Sequence, residues 1–353
     1  MKNLPDAKQS DAKLQYPLLD AIPAPGERTE LAAGVYWIRM PMPGRLDHIN
    51  VWLLRDRDGW TIVDTGINAE NIRSLWKDIF DKYLEGRPVK RVICTHMHND
   101  HSGLAGWLTR HWDIELWMSR AEFFMCKVMA AYRPQDVPTD AMNFYRRAGF
   151  PKQQLDLYSE RFGTFGQMIS ALPQGYRRIH DQDQLQIGDR SWDVVVGRGH
   201  SAEHVCLYNR DLRLLISGDQ VLPRITSNVS VMAYEPHANP LKEWLASCAD
   251  LRERLPDDVL VLPAHQDPFH GLHERLGFLI EFHEACLERL YALCDEPRRA
   301  VDAFPALFPQ REIKDLMYFA ATGESIAHLH YGVEDGVLGA NTDADGVRWF
   351  ERI

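Results

Sequence analysis

The stretch that most restricts this chain is Thr95-His96-Met97-His98-Asn99-Asp100-His101-Ser102-Gly103. It sets three histidines and an aspartate within six residues, directly after the apolar run Arg91-Val92-Ile93-Cys94. That run reads as a buried strand, so the polar cluster stands at a strand end, where it is held rigidly. In an extended segment His96 and His98 project to the same side and reach one metal ion. Asp100 and His101 fall where the chain turns into a helix, marked by Leu104, Trp107, Leu108 and His111 at helical spacing. Imidazole nitrogens with a carboxylate suit Zn²⁺, and Fe or Mn where oxygen ligands are added. The competing reading is a solvated loop that happens to be rich in histidine, and it is the weaker of the two.

Four more strand ends carry related residue types. Asp64-Thr65-Gly66 follows a strand upstream; downstream, Gly199-His200 follows one, Gly218-Asp219 ends another and Pro263-Ala264-His265 ends a fourth. Taken in order with Thr-His-Met-His-Asn-Asp-His, they resemble the metallo-β-lactamase-fold hydrolases, whose signature is His-x-His-x-Asp-His. The resemblance implies an α/β chain folded as an αββα sandwich that binds one or two metals. It implies His96, His98 and His200 on a first metal, Asp100, His101 and His265 on a second, and Asp219 bridging them; two Zn²⁺ are expected, with Fe or Mn open. A lone Gly-Asp is common in turns, so the Asp219 assignment rests on order and spacing. Asp64 is expected to hydrogen-bond a ligand histidine and fix its tautomer, against the plainer reading of a turn aspartate before Gly66. His204 is implied to support its loop rather than a metal. His270 and His273 match no family position and read as surface residues.

The rest of the chain follows this frame. Residues 1–30 read as an irregular N-terminal arm, 31–270 as the catalytic domain and 271–353 as a C-terminal domain. Strands are expected at 34–39, 49–54, 60–63, 114–118, 185–188, 192–196, 205–208, 212–217 and 259–262. Helices are expected through Ile72, Trp76 and Ile79 and through Leu241, Trp244 and Leu251. Residues 120–175 read as a helical insertion rich in Met and aromatics, which either packs onto the sandwich or lines an apolar pocket. The tail reads as a helix from Leu276 to Leu290, shorter helices at 313–321 and 325–334, and a hairpin turning at Asp345-Gly346. Helices followed by a small hairpin resemble the winged-helix appendage of one branch of the superfamily. Glu334, Asp335, Asp343 and Asp345 make this wing acidic, which argues against duplex nucleic acid and for packing or a homodimer contact.

A net charge of −10 excludes a broad basic face for nucleic acid. No stretch approaches the length of a membrane span, and the first 28 residues lack a signal-peptide core, so a soluble cytoplasmic protein without membrane partners is expected. The six cysteines form no CxxC pair; Cys94, two residues before His96, reads as core rather than as a ligand. The resemblance to hydroxyacylglutathione hydrolases points to a metal-dependent hydrolase. In that reading a metal-bridging hydroxide cleaves an acyl bond, a thioester or ester, with Asp100 and Asp219 catalytic and a small acyl compound as substrate. A lactonase or a single-strand endoribonuclease of the same fold are the alternatives.

Overall fold

Strands that are apolar along their whole length need cover on both faces, and two stacked sheets between helical layers supply it. The computed structural model describes residues 4–5, 11–44, 46–134, 136–309 and 311–353. Strands β1 (Arg28–Ala32), β2 (Val35–Pro41), β3 (His48–Asp56) and β4 (Gly59–Val63) form an antiparallel meander. Helix α1 (Glu70–Tyr83) crosses to β5 (Val89–Ile93), which lies parallel to β4. Helices α2 (Asn99–Ser102) and α3 (Ala105–Trp112) lead to β6 (Leu116–Met118). Helices α4 (Arg120–Ala131), α5 (Thr139–Arg147) and α6 (Lys152–Arg161) precede β7 (Arg177–Arg178), which completes a seven-stranded sheet.

The second sheet runs antiparallel through β8 (Gln184–Ile187), β9 (Arg190–Gly197), β10 (His204–Asn209) and β11 (Leu214–Gly218). Helix α7 (Pro240–Arg254) then crosses to β12 (Leu260–Pro263), parallel to β11. The chain closes with α8 (Leu272–Leu293), α9 (Phe304–Leu307), α10 (Leu316–Glu334) and the hairpin β13 (Leu338–Thr342) and β14 (Arg348–Arg352).

The pleat explains the sequence pattern, because successive residues face opposite layers. Trp37, Trp52, Val194, Val196 and Leu207 pack between the sheets. Their neighbours Ile38, Val51 and Leu53 turn outward onto Ile72, Trp76 and Ile79 of α1. On the far side Val195, Cys206 and Tyr208 meet Trp244 of α7 and Leu276 of α8. The expected αββα sandwich is the observed one.

Two local readings change. The first sheet starts at Arg28, inside the stretch expected to be irregular, and the arm before it is anchored: Leu14 is buried and Gln15 bridges to His270. Residues expected as two tail helices, 313–321 and 325–334, form the single α10. Thr322-Gly323 reads as a break, yet Gly323 is helical; an added Cβ would lie 2.7 Å from Ser230 Cβ, so the glycine serves close approach rather than a turn. Nor does the tail build a core of its own. Leu276, Leu290, Ile326, Leu338 and Phe350 share one continuous cluster with the outer face of the second sheet.

The insertion is helical as expected, and most of its aromatics pack: Phe123 against the first sheet, Phe144, Tyr145 and Phe150 against the C-terminal helices. The hairpin turns at Asp345-Gly346, with Gly346 at φ +81° and the Asp343 carboxylate accepting from the Asp345 and Val347 amides. No described helix is long and apolar enough to cross a membrane.

Candidate metal centre

Backbone hydrogen bonds at the strand ends gather the polar motifs at one place. The Asp64 amide donates to the Ile93 carbonyl, Val205 to Thr95, Ala264 to Gly218 and Asn50 to Ala264. Both sheets are thus stitched together beyond β4, β5, β11 and β12. Gly218 is required there: its φ is +51°, and an added Cβ would lie 2.5 Å from the His204 ring.

All seven residues expected as ligands converge. His96 Nε2 lies 2.8 Å from His98 Nδ1 and 3.3 Å from His200 Nε2. The Asp219 carboxylate reaches all of the ring set but one: Oδ2 is 3.4 Å from His200 Nε2, 3.5 Å from His101 Nε2 and 4.0 Å from His96 Nε2, while Oδ1 is 3.4 Å from His265 Nε2. Asp100 Oδ2 is 3.2 Å from His265 Nε2 and 3.6 Å from His101 Nε2. The ligand atoms fall into two groups, each within 4.8 Å: His96, His98, His200 and Asp219, and Asp100, His101 and His265. Asp219 stands between them.

The donor chemistry fits cations. His101 Nε2 and Asp219 Oδ1 are buried without a hydrogen-bond partner; an unpaired buried polar atom costs about 1–3 kcal/mol, which a metal ion at that point removes. Burial holds His96 well below the usual imidazole range and pushes His98 down to about 3, so both stay neutral and keep lone pairs for a metal. Burial also opposes charging of His101, but Asp64, Asp100 and Asp219 outweigh it and raise His101 well above its ordinary value. For Asp219 burial is likewise outweighed, by His265 and His101, which hold the carboxyl well below its ordinary value. The cluster is capable of binding metal ions.

Ring orientation is fixed from outside. Asp64 Oδ2 lies 2.8 Å from His101 Nδ1 and the same carboxylate accepts from the Thr95 amide at 2.8 Å. Asp64 holds φ +60°, a left-handed turn that aspartate tolerates, so the turn reading and the hydrogen-bonding reading both hold. A carbonyl only accepts, so the contacts of His200 Nδ1 with Asn228 O at 2.8 Å and of His265 Nδ1 with His48 O at 2.9 Å put protons on both Nδ1 atoms. Each Nε2 is left to face the centre. His204 accepts from the Asp219 amide at 3.1 Å and stays outside both groups.

Sequence reading missed Glu122, Asn228 and His48. Glu122, buried on α4, accepts from the Met97 amide at 2.9 Å and the Glu203 amide at 2.8 Å, tying the two histidine loops together. Asn228 Nδ2 donates to Glu324 of α10 at 3.2 Å, so the C-terminal region reaches His200 through one residue. The signal for Glu122 was a carboxylate amid the apolar face of α4. Asn228 and His48 act through backbone carbonyls and left no signal. Cys94 is core, with Sγ 3.7 Å from the His101 carbonyl. His270 and His273 lie apart from the cluster, bonded to the Val259 and Leu255 carbonyls.

A cavity of about 120 Å³ opens beside His98 and His200, with Met97, Met125, Met232 and Tyr234 in its wall and Glu235 and Glu243 at its rim. Of the insertion, Glu122 and Met125 of α4 reach it.

Residues 44–265 match the metallo-beta-lactamase superfamily model, and residues 287–353 match that of the metallo-beta-lactamase-like C-terminal domain. A beta-lactamase domain protein from Burkholderia ambifaria is 40% identical, with a TM-score of 0.88 over 97% of this chain and 98% of that one. A metallo-beta-lactamase family protein from Thermus thermophilus is 25% identical, with a TM-score of 0.77 over 92% of this chain and 100% of that one. The human acyl-coenzyme A thioesterase MBLAC2 is 24% identical over 254 residues, covering 68% of this chain and 80% of its own.

Proposed function

This chain belongs to the metallo-beta-lactamase superfamily and is a hydrolase, and on that premise we propose that it hydrolyses thioesters of the acyl-CoA class. The cavity beside His98 and His200 carries the reading. Its methionines form an adaptable apolar wall suited to an acyl group, and the human relative's name agrees. Glu235 and Glu243 at the rim repel a phosphodiester backbone, which leaves the ribonuclease alternative without support.

In this reading His96, His98 and His200 hold one metal ion, Asp100, His101 and His265 a second, and Asp219 lies between; Zn²⁺ suits the donor set, with Fe or Mn as other loadings. Metal ions there supply the Lewis acidity and the activation of water that acyl hydrolysis needs. Asp64 and the carbonyls of Asn228 and His48 keep each Nδ1 protonated and each ring aimed. Glu122 holds the two loops at a fixed separation. Asp100 takes the proton that the attacking water gives up and passes it to the departing sulfur, so that thioester and water give acid and thiol.

The test is thiol release from short and long acyl-CoA by metal-loaded protein, beside Asp219→Ala. Turnover lost in the variant is expected. Absence of turnover on every thioester, with bound metal verified by elemental analysis, overturns the reading and brings lactones forward.

A further inference from the structure

Away from the metal centre, a cavity of about 490 Å³ lies between the insertion, the C-terminal helices and the hairpin. That is room for a small molecule. Phe144, Ile326 and Phe350 give it apolar walls, and its polar groups are Arg147, Arg348, His330, His237 and Thr342. No aspartate or glutamate lines it.

The chain has 50 acidic residues against 40 basic ones, and Arg39, Arg55, Arg91, Arg224 and Arg254 all pair with carboxylates. Arg147 makes no hydrogen bond or ion pair among the described residues. Arg348 is half-buried, and its guanidinium stands 5.1 Å over the Phe350 ring. Its polar partner is His330, at 3.3 Å from Nη1 to Nε2. His330 Nδ1 donates to the Ala238 carbonyl, so Nε2 is a neutral acceptor that leaves the charge uncompensated. The one carboxylate in the adjoining hollow, Glu334, is engaged by Lys242 and Asn239. Two like charges that face one hollow without counterions are the arrangement an anion completes.

We infer that this cavity binds the phosphate of a ligand whose remaining body is flat and apolar. Resting on the thioester reading above, that ligand is the phosphorylated nucleotide end of the CoA carrier. Two observations join the cavity to the metal centre. The loop that contributes Tyr234, Glu235 and Ala238 to the acyl cavity contributes Pro236 and His237 to this one. Helix α10 carries both Glu324, which bonds Asn228 beside His200, and His330, about 9 Å apart along the axis. The rim of the acyl cavity is acidic, so a phosphorylated carrier needs its cationic seat elsewhere, and this cavity is one.

The experiment is titration calorimetry on the whole protein with adenosine 3′,5′-bisphosphate, which lacks a thioester, and with inorganic phosphate as a second probe. Wild type is expected to bind the nucleotide. Arg348→Gln and Arg147→Gln should each weaken binding about tenfold, the worth of one charge-assisted contact. Arg147 is exposed and bonds nothing, so its variant keeps the test valid if Arg348→Gln misfolds. Tighter binding of the nucleotide than of inorganic phosphate supports a body-binding cavity. No binding of the nucleotide by wild type, equal binding by the Arg147 variant, or equal affinity for both probes overturns the inference. Nucleotide binding without thioester turnover would sink the thioester reading and leave the phosphate site standing; turnover without nucleotide binding would do the reverse.

Discussion

At the residue scale the centre is a set of imidazoles, of which His96, His101, His200 and His265 are each held by a contact from outside it, and the Asp64 contact is the most direct to test. Asp64→Asn keeps the side-chain size and the tolerance for φ +60° but removes the charge facing His101 Nδ1. Metal affinity should fall about 10–100-fold, read by competition with a chromogenic chelator; unchanged affinity would remove Asp64 from the site. Glu324 gives a pH prediction. Burial raises its carboxyl from 4.5 to about 7, against Arg311 and Asn228, which lower it. Below pH 4.5 both folded and unfolded chains hold the proton, and the native state is not penalised. As pH rises through about 7 the folded chain must ionise a buried acid, so stability is lost across that window, by up to roughly 3 kcal/mol. Glu324→Gln keeps an acceptor for Asn228. Denaturant unfolding should show it equal to wild type near pH 4.5 and more stable at pH 8; a difference independent of pH would contradict this. The candidate ligands were legible because His96, His98, Asp100 and His101 are local in sequence and chemically distinctive. Their supports were not, because Asn228 and His48 act through carbonyls that every residue owns.

At the scale of elements, the strands were legible where apolar residues run together, as in Val51-Trp52-Leu53-Leu54 of β3, Ile62-Val63 of β4 and Leu214-Leu215-Ile216 of β11, while β5 showed only its apolar end, Val92-Ile93, because Lys90 is exposed. Strands β1 and β7 were not: Arg28-Thr29-Glu30 and Arg177-Arg178 show no apolar run, and backbone pairing joins them to the sheet. The insertion shows the limit of composition. Its aromatics left packing and a pocket both open; Phe123, Phe144 and Tyr145 pack into the cores, and the contribution of α4 to the centre is a carboxylate. Glu122→Ala would strand the buried Met97 amide and the half-buried Glu203 amide. A loss of about 2–4 kcal/mol of stability is expected from two unpaired donors, with weaker metal binding because both histidine loops loosen. Thermal unfolding and metal content on one preparation check both; a variant with unchanged melting would show the amides finding other partners.

For the whole molecule the question is how far residues 271–353, expected from the sequence as a C-terminal domain, and the second sheet depend on each other, since they share one core. Leu272, Leu276, Leu279, Leu287 and Leu290 of α8 pack in the cluster that covers Val195, Cys206, Leu215 and Val261 of the second sheet. Each buried leucine contributes on the order of 2 kcal/mol, against a net stability of about 5–15 kcal/mol for a native domain. Losing α8 alone therefore approaches the whole margin. Helix α10 adds a second dependence. The Gly323 carbonyl accepts from the Val231 amide and Glu324 accepts from Asn228, so the loop that orients His200 leans on residues far later in the chain. A chain cut after Gly271 should then lose both cooperative unfolding and metal binding, seen as a broad thermal transition by circular dichroism and a metal content well below that of the full chain. If instead the shortened chain melts sharply and keeps its metal, the second sheet is stable with its outer face bare. The C-terminal region would then be an appendage that touches the site through the loop contacts of Asn228, Ser230 and Val231 without being needed for it.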